Sequence, residues 1–216
     1  MTRLVAFGCS NTFGQALPDV WDSKNHRHLK KYGSSKYAWP QILADKLNLE
    51  CVNLGIPGAS NKEIWWKILN YQPVETDIVI ILWSLYNRHC IIIDQHQPQR
   101  RSIFKIGTWI NETTSNAFFK YIHHTYDMEI DFYLRCNHIN QFLKNKVKLI
   151  KHGNQDELLI NSSFNEIDFL KANMNVIMGM LPKALDDCHP GIEAHKQFAI
   201  EVYNEIKDEH NKLVRI

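Results

Sequence analysis

The sequence predicts an α/β fold built on a parallel, doubly wound sheet, and three observations carry that prediction. Short apolar runs alternate with stretches of helical periodicity over the first 85 residues. The runs are unbroken rather than alternating, as strands buried on both faces must be. Their spacing leaves room for a helix between successive strands, which parallel pairing requires.

The elements follow in order. In RLVAFGCSNTFG, residues 4–7 form the first strand, which stops at Gly8. YAWPQILADKLN places Ile42, Leu43 and Leu47 at helical spacing, and ECVNLG is the second strand. SNKEIWWKILNY starts with Ser60 and has Glu63 three residues on, a capping-box pattern that puts a helix N-terminus near Ser60. TDIVIILWS is apolar and β-branched throughout, so it belongs at the sheet centre. Residues 88–110 are mixed, with Pro98 and Gly107 breaking any long element. Residues 114–145 read as one or two helices carrying Phe118, Phe119, Tyr121, Phe132 and Tyr133. That aromatic stripe reads as core packing, while an insertion of this length after a central strand also suits a cap over a site. VKLIKHGN is the fourth strand, and ELLINSSFNEIDFLKA is a short strand or loop before a helical turn. NVIMGM reads as a strand or buried turn, and Ile192, Phe198, Ala199, Val202 and Ile206 mark a terminal amphipathic helix. One domain over 1–216 is expected, with an insertion at about 88–145.

Composition excludes several classes of function. The 44% hydrophobic and 22% charged content is that of an ordinary globular protein, and no apolar run approaches the length of a membrane span. Net charge is +2 with the basic residues scattered, so no nucleic-acid partner is expected. The N-terminus runs straight into a core strand without the pattern of a secretory signal, which leads to the expectation of a cytoplasmic protein. Cys9, Cys51, Cys90, Cys136 and Cys188 form no C-x-x-C pair, so reduced thiols are expected. His26 with His28, His123 with His124, and His189 with His195 lack the spacing of a zinc hydrolase and read as surface or packing residues.

Two stretches carry chemistry. Ser10 stands two residues after Gly8, at the carboxyl end of a parallel strand, where open α/β sheets bind their ligands. It is a candidate nucleophile, or else a helix N-cap. Near the other end stands LDDCHPG. Pro190 suits a first helical position and so fixes His189 at a helix entrance, with Asp186 three residues earlier and able to orient the imidazole. Asp187, two residues earlier, would point elsewhere. A serine and an Asp-x-x-His supply the nucleophile, base and acid of acyl transfer if the fold unites them.

Taken together, FGCSNTFG, NLGIPGASN and DDCHPG resemble the first, second and last sequence blocks of the SGNH, or GDSL-type, hydrolases, and the resemblance spans the chain. Thr12 breaks the G-x-S-x-G elbow of the α/β-hydrolases, which favours the SGNH family. The resemblance implies a three-layer α/β/α, flavodoxin-like sandwich with a mostly parallel sheet of about five strands and a helical insertion after the third. It implies Ser10 as nucleophile, His189 as base and Asp186 as orienting acid. The Ser10 and Gly58 amides would form the oxyanion hole, with Asn61 holding its loop. The family's Gly-x-Asn-Asp block is replaced by ILWSLYNRH, in which Asn87 reaches the third oxyanion position only if the loop is longer by about two residues. Ser84 is the other candidate donor. Arg88 would bind a substrate oxyanion or carboxylate, or else serve at the surface or in an ion pair.

The activity so implied is a serine esterase for short acyl esters such as O-acetylated glycans, without metal or organic cofactor. Its partner is a small-molecule or glycan ester. A non-catalytic binding or structural protein of the same fold is the alternative. Flavodoxin-like nucleotide binding is disfavoured, because the GCSNTFG loop lacks both G-x-G-x-x-G and a Walker lysine.

Overall fold

The structure, a computed structural model, describes residues 2–29, 33–92, 103–155 and 167–214. Pro98 and all of ELLINSSFNE therefore lie outside the described residues. The first half runs β1 (Arg3–Gly8), α1 (Ser10–Phe13), β2 (Trp21–Asp22), β3 (Arg27–His28), α2 (Trp39–Leu47), β4 (Glu50–Asn53), α3 (Asn61–Leu69) and β5 (Ile78–Leu82). The second half runs β6 (Arg88–Ile92), β7 (Ile103–Gly107), α4 (Thr113–Tyr121), α5 (Thr125–Leu143), β8 (Leu149–Gly153), α6 (Met174–Met180) and α7 (Ile192–Val214).

The central sheet is parallel, in the order β4-β1-β5-β8. From β1 the chain moves outward to β4, then returns across β1 to β5 and continues to β8. Connections leaving β1 and β5 thus diverge, and the crevice at their carboxyl ends is the topological switch point where such sheets bind ligands. Gly8 and Leu82 face each other at that edge.

Strand residues alternate between two cores, which is why the runs had to be apolar without interruption. Leu4, Ala6, Ile78, Ile80 and Leu82 pack under α2, α6 and α7 with Trp39, Leu43 and Phe198. Val5, Phe7, Val79 and Ile81 pack on the opposite face with Ile64 and Ile68 of α3 and Phe132, Cys136 and Ile139 of α5. All nine strand residues are fully buried, and each Leu or Ile among them contributes about 2 kcal/mol through burial. The result is the three-layer sandwich.

Four details differ from expectation. The sheet has four strands among the described residues instead of about five. The fifth place, beyond β8, holds a single parallel bridge between Phe169 and His152, made by His152 N–H to Asp168 O (2.9 Å) and Leu170 N–H to His152 O (2.7 Å). NVIMGM is helix α6, because the Asn173 side chain accepts from the N–H groups of Asn175 and Val176 and caps it. Pro190 is not the first helical residue, since α7 begins at Ile192; it forms an antiparallel bridge with Lys183. The region after the third strand also divides. β6 and β7 form an antiparallel hairpin, whereas α5 lies in the sheet's own core as the crossover helix that a parallel β5-to-β8 connection requires. Ser60 caps α3 as its spacing predicts, accepting from Glu63 N–H at 3.3 Å. All five cysteines are free thiols. Among the described residues no helix is long and apolar enough to cross a membrane.

Candidate active site

β1 must end in glycine, since a Cβ at Gly8 would lie 2.0 Å from Thr12 Oγ1 and 2.7 Å from Leu82 O. The chain turns there into α1. Cys9, not Ser10, is the N-cap, and no side chain caps this turn. Ser10 is therefore the first helical residue, and its N–H is one of the donors a helix start leaves without an internal partner. The Asn53 side chain clamps the turn by donating to Thr12 O at 2.8 Å and accepting from Gly55 N–H at 3.0 Å.

The histidine loop is tied directly to this turn. Leu185 N–H donates to Ala16 O at 3.2 Å, and Ala184 packs with Ala16, Leu17, Val20 and Ala38. The Lys183–Pro190 bridge, together with Ala184 N–H donating to His189 O at 2.9 Å, closes the loop. Within it Asp186 Oδ1 accepts from the N–H groups of Cys188 and His189, both at 3.0 Å. Asp186 Oδ2 lies 2.5 Å from His189 Nδ1. Burial pushes the Asp186 carboxyl up, but these hydrogen bonds outweigh it and hold it below the ordinary carboxylate value. With Nδ1 engaged, Nε2 is the free edge of the ring. Asp187 is left-handed, with φ 57°, and does not join the pair.

The second glycine motif forms a reverse turn. Ala59 N–H donates to Ile56 O at 3.0 Å, with Pro57 and Gly58 at its centre. Gly58 has φ 69°, the left-handed conformation that a type II turn demands of its third residue. The turn is also gripped from outside. Lys105 on β7 donates through Nζ to Pro57 O at 2.7 Å and lies 3.4 Å from Glu63 Oε2. Burial raises the Glu63 carboxyl pKa, a rise that Lys105 partly opposes.

Ser10, Gly58, Asn87, Asp186 and His189, the five residues singled out from sequence, all line one cavity of about 750 Å³. The fold thus gathers residues from the two ends of the chain at the switch point. Among the described residues Ser10 Oγ meets only Cys9 Sγ, at 4.0 Å, and makes no hydrogen bond to His189. Asn87 Nδ2 is 3.4 Å from Thr108 Oγ1, a long contact that leaves the amide lightly held. Ser84 does not line the cavity. It is fully buried, with Oγ unpartnered among the described residues, and its N–H donates to Asn61 Oδ1 at 2.7 Å, so Asn61 holds the loop after β5 and not only its own. Arg88 makes no ion pair among the described residues; its guanidinium stands 4.9 Å over the Trp109 ring, with Nε and Nη1 buried and unpaired.

Several cavity residues escaped sequence reasoning. Gln155 accepts from Asn11 Nδ2 at 2.7 Å and donates to Trp83 O at 2.6 Å, stapling the loops after β1, β5 and β8. Its one signal was its place just past the fourth strand. Lys105, Thr108 and Trp109 come from the hairpin, which carried no motif. His195 is a packing residue, as expected, and the structure adds His152 as a second. Burial pushes both down to about 3, and each accepts through Nδ1, from Trp83 Nε1 and Trp39 N–H respectively. No group of three or more His, Cys, Asp or Glu could hold a metal ion among the described residues.

No protein-family model and no curated protein matches the sequence. Solved structures are similar at the level of fold. A member of the lipolytic protein G-D-S-L family from Veillonella parvula superposes with a TM-score of 0.54 at 11% identity, over 94% of this chain and 97% of that one. An acetyl xylan esterase from the rumen bacterium Butyrivibrio proteoclasticus gives 0.57 at 12% identity, over 96% of this chain and 64% of that longer one. A catalytic mutant of an acetylxylan esterase from Geobacillus stearothermophilus gives 0.50 at 14% identity, over 94% and 93%. The doubly wound sheet, the serine turn at its switch point and these likenesses agree that the chain has the fold of the SGNH, or GDSL-type, hydrolases.

Proposed function

We propose that this protein is a serine ester hydrolase. The observation that carries the reading is the Asp186–His189 pair opening onto the same cavity as Ser10 and the Gly58 turn. His189 Nε2 takes the Ser10 Oγ proton as Oγ attacks the ester carbonyl. The tetrahedral oxyanion accepts from the N–H groups of Ser10 and Gly58, and the lightly held Asn87 amide is the third donor. His189 then protonates the departing alcohol. Water, deprotonated by the same ring, attacks the acyl-serine and releases the carboxylic acid and free Ser10. Asp186 keeps Nε2 as the accepting nitrogen and stabilises the imidazolium. The missing Ser10–His189 hydrogen bond is compatible with this mechanism, because such contacts commonly tighten only when substrate is present.

The substrate we infer is a short acyl ester, an acetyl group on a glycan being the model case. Two of the similar folds are acetyl xylan esterases, and the half-exposed Trp109 indole at the cavity offers a flat face for a sugar ring. The test is hydrolysis of p-nitrophenyl acetate and longer homologues by wild type and Ser10→Ala. Turnover that falls at least about a thousandfold in Ser10→Ala, with an unchanged melting temperature, supports the reading. Equal rates in both proteins would sink it. No turnover on these esters or on acetylated xylo-oligosaccharides favours a binding protein of the same fold.

A further inference from the structure

The Lys105 ammonium touches a peptide group whose other end matters for the chemistry proposed above. It donates to Pro57 O at 2.7 Å, and Pro57 C=O belongs to the same peptide as Gly58 N–H. That peptide is trans, so its carbonyl and its N–H point in opposite directions. Among the described residues Gly58 N–H meets no acceptor, while Gly58 itself lines the cavity with Ser10.

The turn around this peptide has two available states. Types I and II differ by a half-rotation of the central peptide, and type II is the state with positive φ at the third residue. Gly58, at φ 69°, is in type II. A half-rotation would take Pro57 O off Lys105 and carry the Gly58 N–H to the opposite side. Lys105 is itself held, because Glu63, whose side chain is 6% exposed, stands 3.4 Å away in the first turn of α3.

We propose that Lys105 is a positioning residue of the oxyanion hole: by holding Pro57 O it locks the turn in type II, aims Gly58 N–H at the cavity and polarises that peptide towards stronger donation. The inference rests on Gly58 N–H being an oxyanion donor, as argued under the proposed function. It also gives the hairpin a part in the chemistry, since β7 carries Lys105 to the turn.

The experiment compares wild type, Lys105→Met and Lys105→Arg on p-nitrophenyl acetate, with melting temperatures and with the Gly58 amide followed by 15N NMR. The expected result is a kcat about ten- to a hundredfold lower in Lys105→Met with KM within about twofold. Lys105→Arg, which keeps a charged donor, should recover most of it, and the Gly58 amide should shift more than its neighbours in the Met variant alone. Unchanged kcat and an unmoved Gly58 amide in Lys105→Met would overturn the proposal. So would equal losses in both variants alongside a lowered melting temperature, which mark plain structural support. If wild type shows no Ser10-dependent turnover, the esterase reading fails instead, and the Gly58 amide alone decides whether Lys105 holds the turn.

Discussion

In the turn after β1, Ser10, Asn11 and Thr12 are 1%, 6% and 0% exposed, whereas Ile91 in the hairpin is 52% exposed and Trp109, just after it, 50%. The first region is held by buried contacts around the strand ends: a glycine forced by Thr12, an Asn53 clamp and a Gln155 staple. The second acts through side chains laid over that frame, with Lys105 on Pro57 and Arg88 over Trp109. The contrast teaches where the molecule keeps its invariant geometry and where it can vary. Groups that need sub-ångström placement sit on the buried sheet edge, while those that adjust donor strength or meet the rest of the substrate sit on the hairpin.

The comparison can be broken or sharpened by four experiments, taken from the largest effect down. Asp186→Asn should lower kcat by about 10⁴ with little change in melting temperature, because the amide favours the wrong imidazole tautomer. A fall of less than about tenfold would remove Asp186 from the frame. Gly58→Ala forces a side chain into a left-handed residue of the turn, so kcat should fall about a hundredfold with KM nearly constant. Its retention of full kcat would mean that the turn tolerates distortion and that the buried edge is not where precision resides.

The third experiment reads pH. His152 and His195 are held neutral by burial down to about pH 3, against an ordinary value of 6.5. Below 6.5 the unfolded chain takes up protons that the folded chain refuses. The stability these residues provide is therefore complete above pH 6.5 and is lost as pH falls towards 3. The slope should approach about 1.4 kcal/mol per pH unit for each histidine, read by urea titration between pH 7 and 5. His195→Asn, which keeps an acceptor for Trp39 N–H, should lower the slope by up to about 1.4 kcal/mol per pH unit, the remainder coming from His152 and from His89, which burial pushes down to about 4; an unaltered slope would contradict the assignment. The smallest effect belongs to the hairpin side. Trp109→Ala should raise KM for acetylated oligosaccharides about three- to tenfold while leaving p-nitrophenyl acetate turnover and melting temperature unchanged. Equal losses on both substrates would place Trp109 in the catalytic frame.

Local chemistry is what the sequence alone could declare. Unbroken apolar runs announced strands buried on two faces, the Ser60 cap announced α3, and Asp186 with His189, three residues apart, announced their own pairing, because each depends on neighbours along the chain. Tertiary structure decided the rest, for reasons of distance. Ser10 and His189 line one cavity because the Ala16–Leu185 hydrogen bond and the small cluster around Leu17 join the two ends of the chain. Ser84 N–H found its acceptor on Asn61, 23 residues away, and Lys105 found Pro57 O, 48 residues away. The fifth strand shrank to one bridge and NVIMGM became a helix because side-chain capping and sheet-edge pairing outweighed a short apolar pattern. Periodicity records which face a residue buries; which distant backbone group its polar atoms will find is set only when the layers pack.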